Sequence, residues 1–134
     1  MEKFKARLVV KGFTQIEGID YNDTFSPVSS EDSLRIVMAL VTHYDLELHQ
    51  MDVKTAFLNG DLHEDVYMAE PEGFVVEGKE HMCCRLKKSI YGLKQASRQW
   101  YIKFDNVIQN FGFTENKRDN CIYILRSRGA SFLS

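Results

Sequence analysis

At 134 residues the chain suits one domain or part of one, and with 44% hydrophobic and 12% aromatic residues it can pack a core, which excludes wholesale disorder. No apolar run approaches the roughly 20 residues a membrane span needs. The start, Met1-Glu2-Lys3-Phe4-Lys5, has no apolar signal region, so the expectation is a soluble intracellular protein, with cytoplasm and nucleus both open. The net charge of −2 hides an asymmetry. Glu17 to Glu80 holds 15 acids against three bases, whereas Arg85 to Phe104 holds six bases and no acid. Such a basic block, interleaved with Tyr91, Trp100 and Tyr101, suits a phosphate backbone with stacked bases, and equally suits a solvated basic face. Cys83, Cys84 and Cys121 make a poor disulfide framework and read as reduced thiols. His81, Cys83 and Cys84 match no standard zinc spacing; alternation of Met82, Cys84 and Leu86 on one strand face is the simpler reading.

In chain order, Lys5 to Lys11 is rich in Leu and Val and predicts a strand. Gly18, Asn22, Asp23, Ser26 and Pro27 mark a loop from Glu17 to Val28. Ser29 followed by Asp32 resembles a capping box, and Leu34, Val37, Met38 and Val41 then keep helical spacing. A largely buried helix over Ser30 to Tyr44 follows. Leu46 to Val53 predicts a strand whose alternation breaks at Gln50 and Met51, leaving the face of Asp52 open. Asn59-Gly60-Asp61 is a turn. Short strands are expected at Val66 to Ala69 and Met82 to Lys87, with Glu77-Gly78-Lys79-Glu80 turning between them. Ser97 to Phe111 is an amphipathic helix with Trp100, Phe104, Val107, Ile108 and Phe111 on one face and Gly112 at its C-terminal cap. Cys121 to Leu125 reads as a final strand. Strands and helices mix without strict alternation, which predicts an α+β class.

Four segments carry a resemblance: KARLVVKGFTQIEGIDYNDTFSPV (Lys5 to Val28), QMDVKTAFLNGDLHEDVYMAEPEGF (Gln50 to Phe74), SIYGLKQASRQWY (Ser89 to Tyr101) and the run Asp119 to Tyr123. In order and spacing they resemble the copia-type retrotransposon reverse transcriptase, over about residues 5–125; residues 126–134 look divergent. The resemblance implies a partial fingers-and-palm fold, with Lys5 to Lys11 in the fingers and the Asp52 strand and Ser97 helix in the palm. It implies an RNA-directed DNA polymerase within a Pol polyprotein, acting on a primer–template and deoxynucleoside triphosphates with Mg2+ or Mn2+. It makes Asp52 the catalytic metal carboxylate, with the Val53 carbonyl as a secondary contact. Phe57 becomes the wall that excludes a 2′-hydroxyl. Gln95 becomes a sugar or template contact. Arg7, with Lys5 on the same strand face, reaches the triphosphate. The family usually has Pro where this chain has Ser97, which can cap the helix.

Read without the resemblance, Asp52 is one acid among 19, Phe57 a core aromatic and Gln95 a polar loop residue. Lys87, Lys88, Lys94 and Arg98 are candidates for nucleic-acid phosphates or members of a solvated face. No complete G-x-x-x-x-G-K-[ST] phosphate-loop signature and no G-x-S-x-G pattern occurs. The family's Tyr-x-Asp-Asp hairpin is not encoded, since the chain has no Asp-Asp dipeptide, and Met1 sits where the family is mid-domain. The expectation is a reverse transcriptase fragment, inactive alone. A non-catalytic nucleic-acid-binding remnant and a decayed reading frame are the alternatives.

Overall fold

The computed structural model describes residues 4–127 and 130–133, the last four and Ser127 by backbone alone. The chain forms two compact units, Met1–Phe25 with Thr55–Lys103, and Ser26–Lys54 with Phe104–Ser134. Small antiparallel sheets and two longer helices bear out the α+β class.

In the first unit, β1 (Tyr67–Ala69) pairs antiparallel with β2 (Cys83–Arg85), Met68 opposite Cys84. Both lie inside their expected ranges, and Gly78 turns the chain between them with a positive φ of 80°. Cys84 and Leu86 are half-buried, as alternation predicts, but Met82, expected on the same face, is exposed and lies outside β2. The core is Val66, Ile90, Leu93 and Ala96, with Val10, Phe57, Leu62 and Leu86 packed around it. Lys5 to Lys11 is not a strand. Among the described residues its long-range backbone bond is Val10 N–H to the Tyr91 carbonyl, at 2.8 Å. That bond brings two glycines together. A Cβ on Gly12 would lie 1.8 Å from the Gly92 carbonyl oxygen, and one on Gly92, whose φ is +96°, would lie 2.0 Å from the Val10 carbonyl oxygen. No side chain fits either place.

In the second unit, α1 (Glu31–His43) begins one residue later than the predicted cap. Ser30, not Ser29, is the N-cap, and its hydroxyl accepts from Ser33 N–H at 3.1 Å. Glu31 and Asp32 in its first turn suit the helix dipole. The expectation that α1 is largely buried is overturned: none of its residues is buried, and Leu34, Ile36, Met38 and Leu40 are exposed. Only the Ser33, Val37, Val41 row, at i, i+4 and i+8, is half-covered. The Leu46 to Val53 strand does not form either. Those residues have no ladder partner, and an extended segment without a paired edge is not a strand. The final sheet runs β3 (Thr114–Glu115), β4 (Tyr123–Ser127), β5 (Ala130–Leu133), all antiparallel. β4 starts two residues later than expected, because Asp119 to Cys121 closes a turn in which Asp119 accepts from Cys121 N–H at 2.9 Å.

Helix α2 (Ala96–Asn110) gives its first half to one unit and its second half to the other. It starts at Ala96, so Ser97 is its second residue rather than its cap. Gly112, at φ +89°, ends it as predicted. Phe104 meets Tyr123 edge-on with ring centroids 5.7 Å apart, and the Tyr123 hydroxyl donates to Asp105 at 3.0 Å. Tyr123 is 1% exposed, whereas Val107 and Phe111 on the same apolar face of α2 stay open.

Two outcomes follow from this packing. Gly92→Ala must push the Val10 and Tyr91 backbones apart, a strain of about 1–3 kcal/mol or more. Hydrogen exchange at the Val10 amide should speed up selectively, and unchanged protection would disprove the contact. Exposed Phe, Leu and Ile side chains on both units should also make the isolated chain bind anilinonaphthalene sulfonate and unfold without a sharp transition. A reversible, cooperative transition of a monodisperse monomer would contradict that.

Candidate functional site

The SIYGLKQAS segment is the interior of the first unit. Ser89, Ile90, Leu93, Gln95 and Ala96 are all buried. Tyr91 stands against Phe57 with ring centroids 5.1 Å apart. Phe57 is thereby half-buried in a 3-10 turn (Ala56–Asn59), entered through Thr55 in the left-handed region at φ 59°. A β-branched residue there is strained by about 1–3 kcal/mol, and no turn signal in the sequence marks it.

Gln95 is fully buried, and both ends of its amide are engaged. Its Oε1 accepts from Gln15 Nε2 at 3.1 Å, and its Nε2 donates to the Asp20 carbonyl at 3.1 Å. Gln15 Oε1 accepts in turn from Lys94 N–H at 2.8 Å. Gln95 thus holds the segment after Gly12 in place.

Five of the six cations between Arg85 and Lys103 have partners in the same unit. Arg85 pairs with Asp65. Lys88 and Lys103 share Asp61, at 3.1 and 2.8 Å. Arg98 pairs with Asp23 at 2.9 Å and donates to the Phe25 carbonyl at 3.0 Å. Lys94 Nζ donates to the Gln15 carbonyl at 3.2 Å and to the Tyr21 hydroxyl at 3.3 Å, and lies 5.0 Å from the Tyr21 ring centroid. Lys87 is exposed and makes no ion pair among the described residues. Hydrogen bonds and charge from Lys103 and then Lys88 hold the Asp61 carboxyl below its ordinary value of 3.8.

In the sequence Asp61 and Asp23 stand only as turn and loop markers, and Gln15 and Tyr21 only as parts of the first motif. The available signal was the charge asymmetry itself: an acidic stretch beside a basic block invites pairing between them. Arg7 and Lys5 are exposed.

Asp52 and Val53 belong to the second unit and are exposed, in a segment without regular structure. Among the described residues no group of three or more His, Cys, Asp or Glu side chains could hold a metal ion. One exposed carboxylate does not fit a two-cation centre. In the same unit Asp119 serves the fold. It accepts from the Ser29 hydroxyl at 3.2 Å and from Ser30 N–H at 3.3 Å, tying the start of α1 to the turn before β4. The Ser33 hydroxyl, then Cys121 N–H, lower its pKa, while burial, then the charge of Asp119, raises that of the Cys121 thiol.

The family model described as "Reverse transcriptase (RNA-dependent DNA polymerase)" matches residues 1–133. The chain belongs to the reverse transcriptase family. Its match runs beyond the 5–125 stretch carried by the motifs. The chain is 52% identical over 131 residues to the retrovirus-related Pol polyprotein from transposon TNT 1-94 of Nicotiana tabacum, covering 98% of this chain and 10% of that protein. It is 41% identical to the Pol polyprotein from transposon RE1 of Arabidopsis thaliana, covering 99% of this chain and 9% of that one. A Ty1-ER2 Gag-Pol polyprotein of Saccharomyces cerevisiae is 31% identical, with 89% of this chain and 7% of that protein covered. The chain therefore spans about a tenth or less of these reverse transcriptase relatives. The copia-type resemblance and the Pol polyprotein context are borne out by these matches. No solved structure matches the chain. Among the described residues no helix is long and apolar enough to cross a membrane.

The Asp61 pairing has a pH signature. A carboxyl whose folded pKa is depressed stabilises the fold above its unfolded pKa, and that contribution is lost as pH falls through the folded value. In a carbon-detected NMR titration Asp61 should titrate below 3.8, and Lys103→Gln should move its midpoint upward more than Lys88→Gln does. Equal, unshifted midpoints in all three proteins would remove the network.

Proposed function

We propose that this chain serves RNA-templated DNA synthesis as part of a Pol polyprotein, and that it is inactive by itself. The observation that carries the reading is the family match over residues 1–133, with four motifs in order inside it. The reaction joins a primer 3′-hydroxyl to the α-phosphorus of a deoxynucleoside triphosphate, with pyrophosphate leaving. In this reading the chain supplies part of the fingers and palm. Lys5 to Lys11 comes from the fingers, and the Asp52 segment and α2 come from the palm.

Asp52 is the carboxylate this chain brings to a Mg2+ or Mn2+ centre, with the Val53 carbonyl beside it in sequence. One carboxylate is short of what two cations need, so residues outside this chain must complete the site. Phe57, braced by Tyr91 at 5.1 Å, is the wall against a ribose 2′-hydroxyl. Gln95 acts at the nucleotide through the segment it holds, its amide being committed to Gln15 and Asp20. Arg7 meets the triphosphate. Lys87, Lys88, Lys94 and Arg98 meet the primer–template, Lys87 being unpaired among the described residues.

Primer extension on an RNA template, with Mg2+ or Mn2+, tests both halves of the proposal. The isolated chain should give no extension above an Asp52→Asn control. A Pol protein containing this segment should extend the primer, and lose on the order of 10²–10³-fold in rate with Asp52→Asn. Asp52-dependent synthesis by the isolated chain, or full activity of the variant Pol protein, would overturn it.

A further inference from the structure

The basic block meets an unusual set of partners within its own unit. Residues 15–25 present only oxygen acceptors to Lys94 and Arg98. Lys94 Nζ faces the Gln15 carbonyl at 3.2 Å and the Tyr21 hydroxyl at 3.3 Å. Arg98 faces the Asp23 carboxylate at 2.9 Å and the Phe25 carbonyl at 3.0 Å. The Tyr21 ring lies against Lys94 at 5.0 Å, adding an aromatic face to the same place. Carboxylate, hydroxyl and carbonyl oxygens are the chemical equivalents of phosphate oxygens for ammonium and guanidinium donors.

The segment is shaped to stay there. Gly18 N–H donates to the Tyr21 carbonyl at 2.8 Å, and Ile16 N–H donates to Asp20 Oδ2 at 2.8 Å. The buried Gln95 amide grips the Asp20 carbonyl from below. Distal to that grip, Asp23 is 54% exposed at its side chain, so the Arg98 pair lies near solvent and can exchange.

We propose that residues 15–25 form an internal phosphate mimic, an acceptor strap that occupies Lys94 and Arg98, and that an anionic single-stranded nucleic-acid backbone binds them by displacing Asp23 and Tyr21. The inference rests on the nucleic-acid reading above and adds a control to it. The strap lowers affinity for stray polyanions and leaves Gln95 anchored when its outer end lifts.

The test is fluorescence anisotropy with a labelled oligothymidylate of about 20 nucleotides, titrated in KCl from about 50 mM upward. Asp23→Asn should bind roughly three- to tenfold tighter than wild type and steepen the salt slope by about 0.7, the value for one phosphate contact on a single strand. Tyr21→Leu should act in the same direction through Lys94. Glu72→Gln, which changes net charge equally at an exposed site, should bind as wild type does. Arg98→Gln should weaken binding more in the Asp23→Asn background than in wild type, with matched circular dichroism spectra. Wild-type affinity and slope in both strap variants, with binding still lost on Arg98→Gln, would overturn the strap and leave the nucleic-acid reading standing. Absence of salt-dependent binding in every protein would overturn both.

Discussion

The backbone approach of Gly12 to Gly92 is the contact on which the first unit depends. Two motifs about 80 residues apart meet without side chains between them, with a hydrogen bond from Val10 N–H to Tyr91 at 2.8 Å. From this fixed point the chain places Gln15 beside Gln95 and carries residues 15–25 across the start of α2. On the other side Tyr91 reaches Phe57, and Ile90 and Leu93 complete the core with Val66 and Ala96. A glycine at each position is thus a packing requirement. A side chain at either would separate the segments that the remaining contacts assume are touching.

Motifs that read as chemistry in one dimension have architectural work in three. The YGLKQ run supplies Leu93 and Gln95 to the buried centre of one unit. The Asp119 to Tyr123 run is a brace in the other. Asp119 ties down the first residues of α1, and Tyr123 packs on Phe104 and hydrogen-bonds Asp105. These positions therefore have a physical role in the fold, apart from any in catalysis. Asp52 differs, since it is exposed in a segment without regular structure.

Electrostatics follow the same pattern. A basic block with no acid among its own residues is partly neutralised by acids from the stretch before it. Asp61 takes two lysines, while Asp23 and Asp65 take an arginine each. These pairs are partly solvated, so each adds little to stability. Their larger consequence is for binding. Any polyanion approaching α2 competes with carboxylates already in place, and salt weakens both contests together.

The sequence by itself determined the family, the α+β class, the extent of α2 with its Gly112 stop, and the β1–β2 hairpin. Those features rest on residue patterns local to each element, or on motif order, and both are written along the chain. It misjudged Leu46 to Val53 and the burial of α1, because a strand needs an edge to pair with and an apolar face needs a surface to cover it. Neither condition is local. Only the tertiary structure decided which cations are occupied. Arg85 finds its acid 20 residues away, Lys88 27 and Lys103 42, while Arg98 and Lys94 reach partners 73 and 79 residues away. Composition announces that opposite charges are present, but the backbone path through Gly12 and Gly92 decides which of them meet.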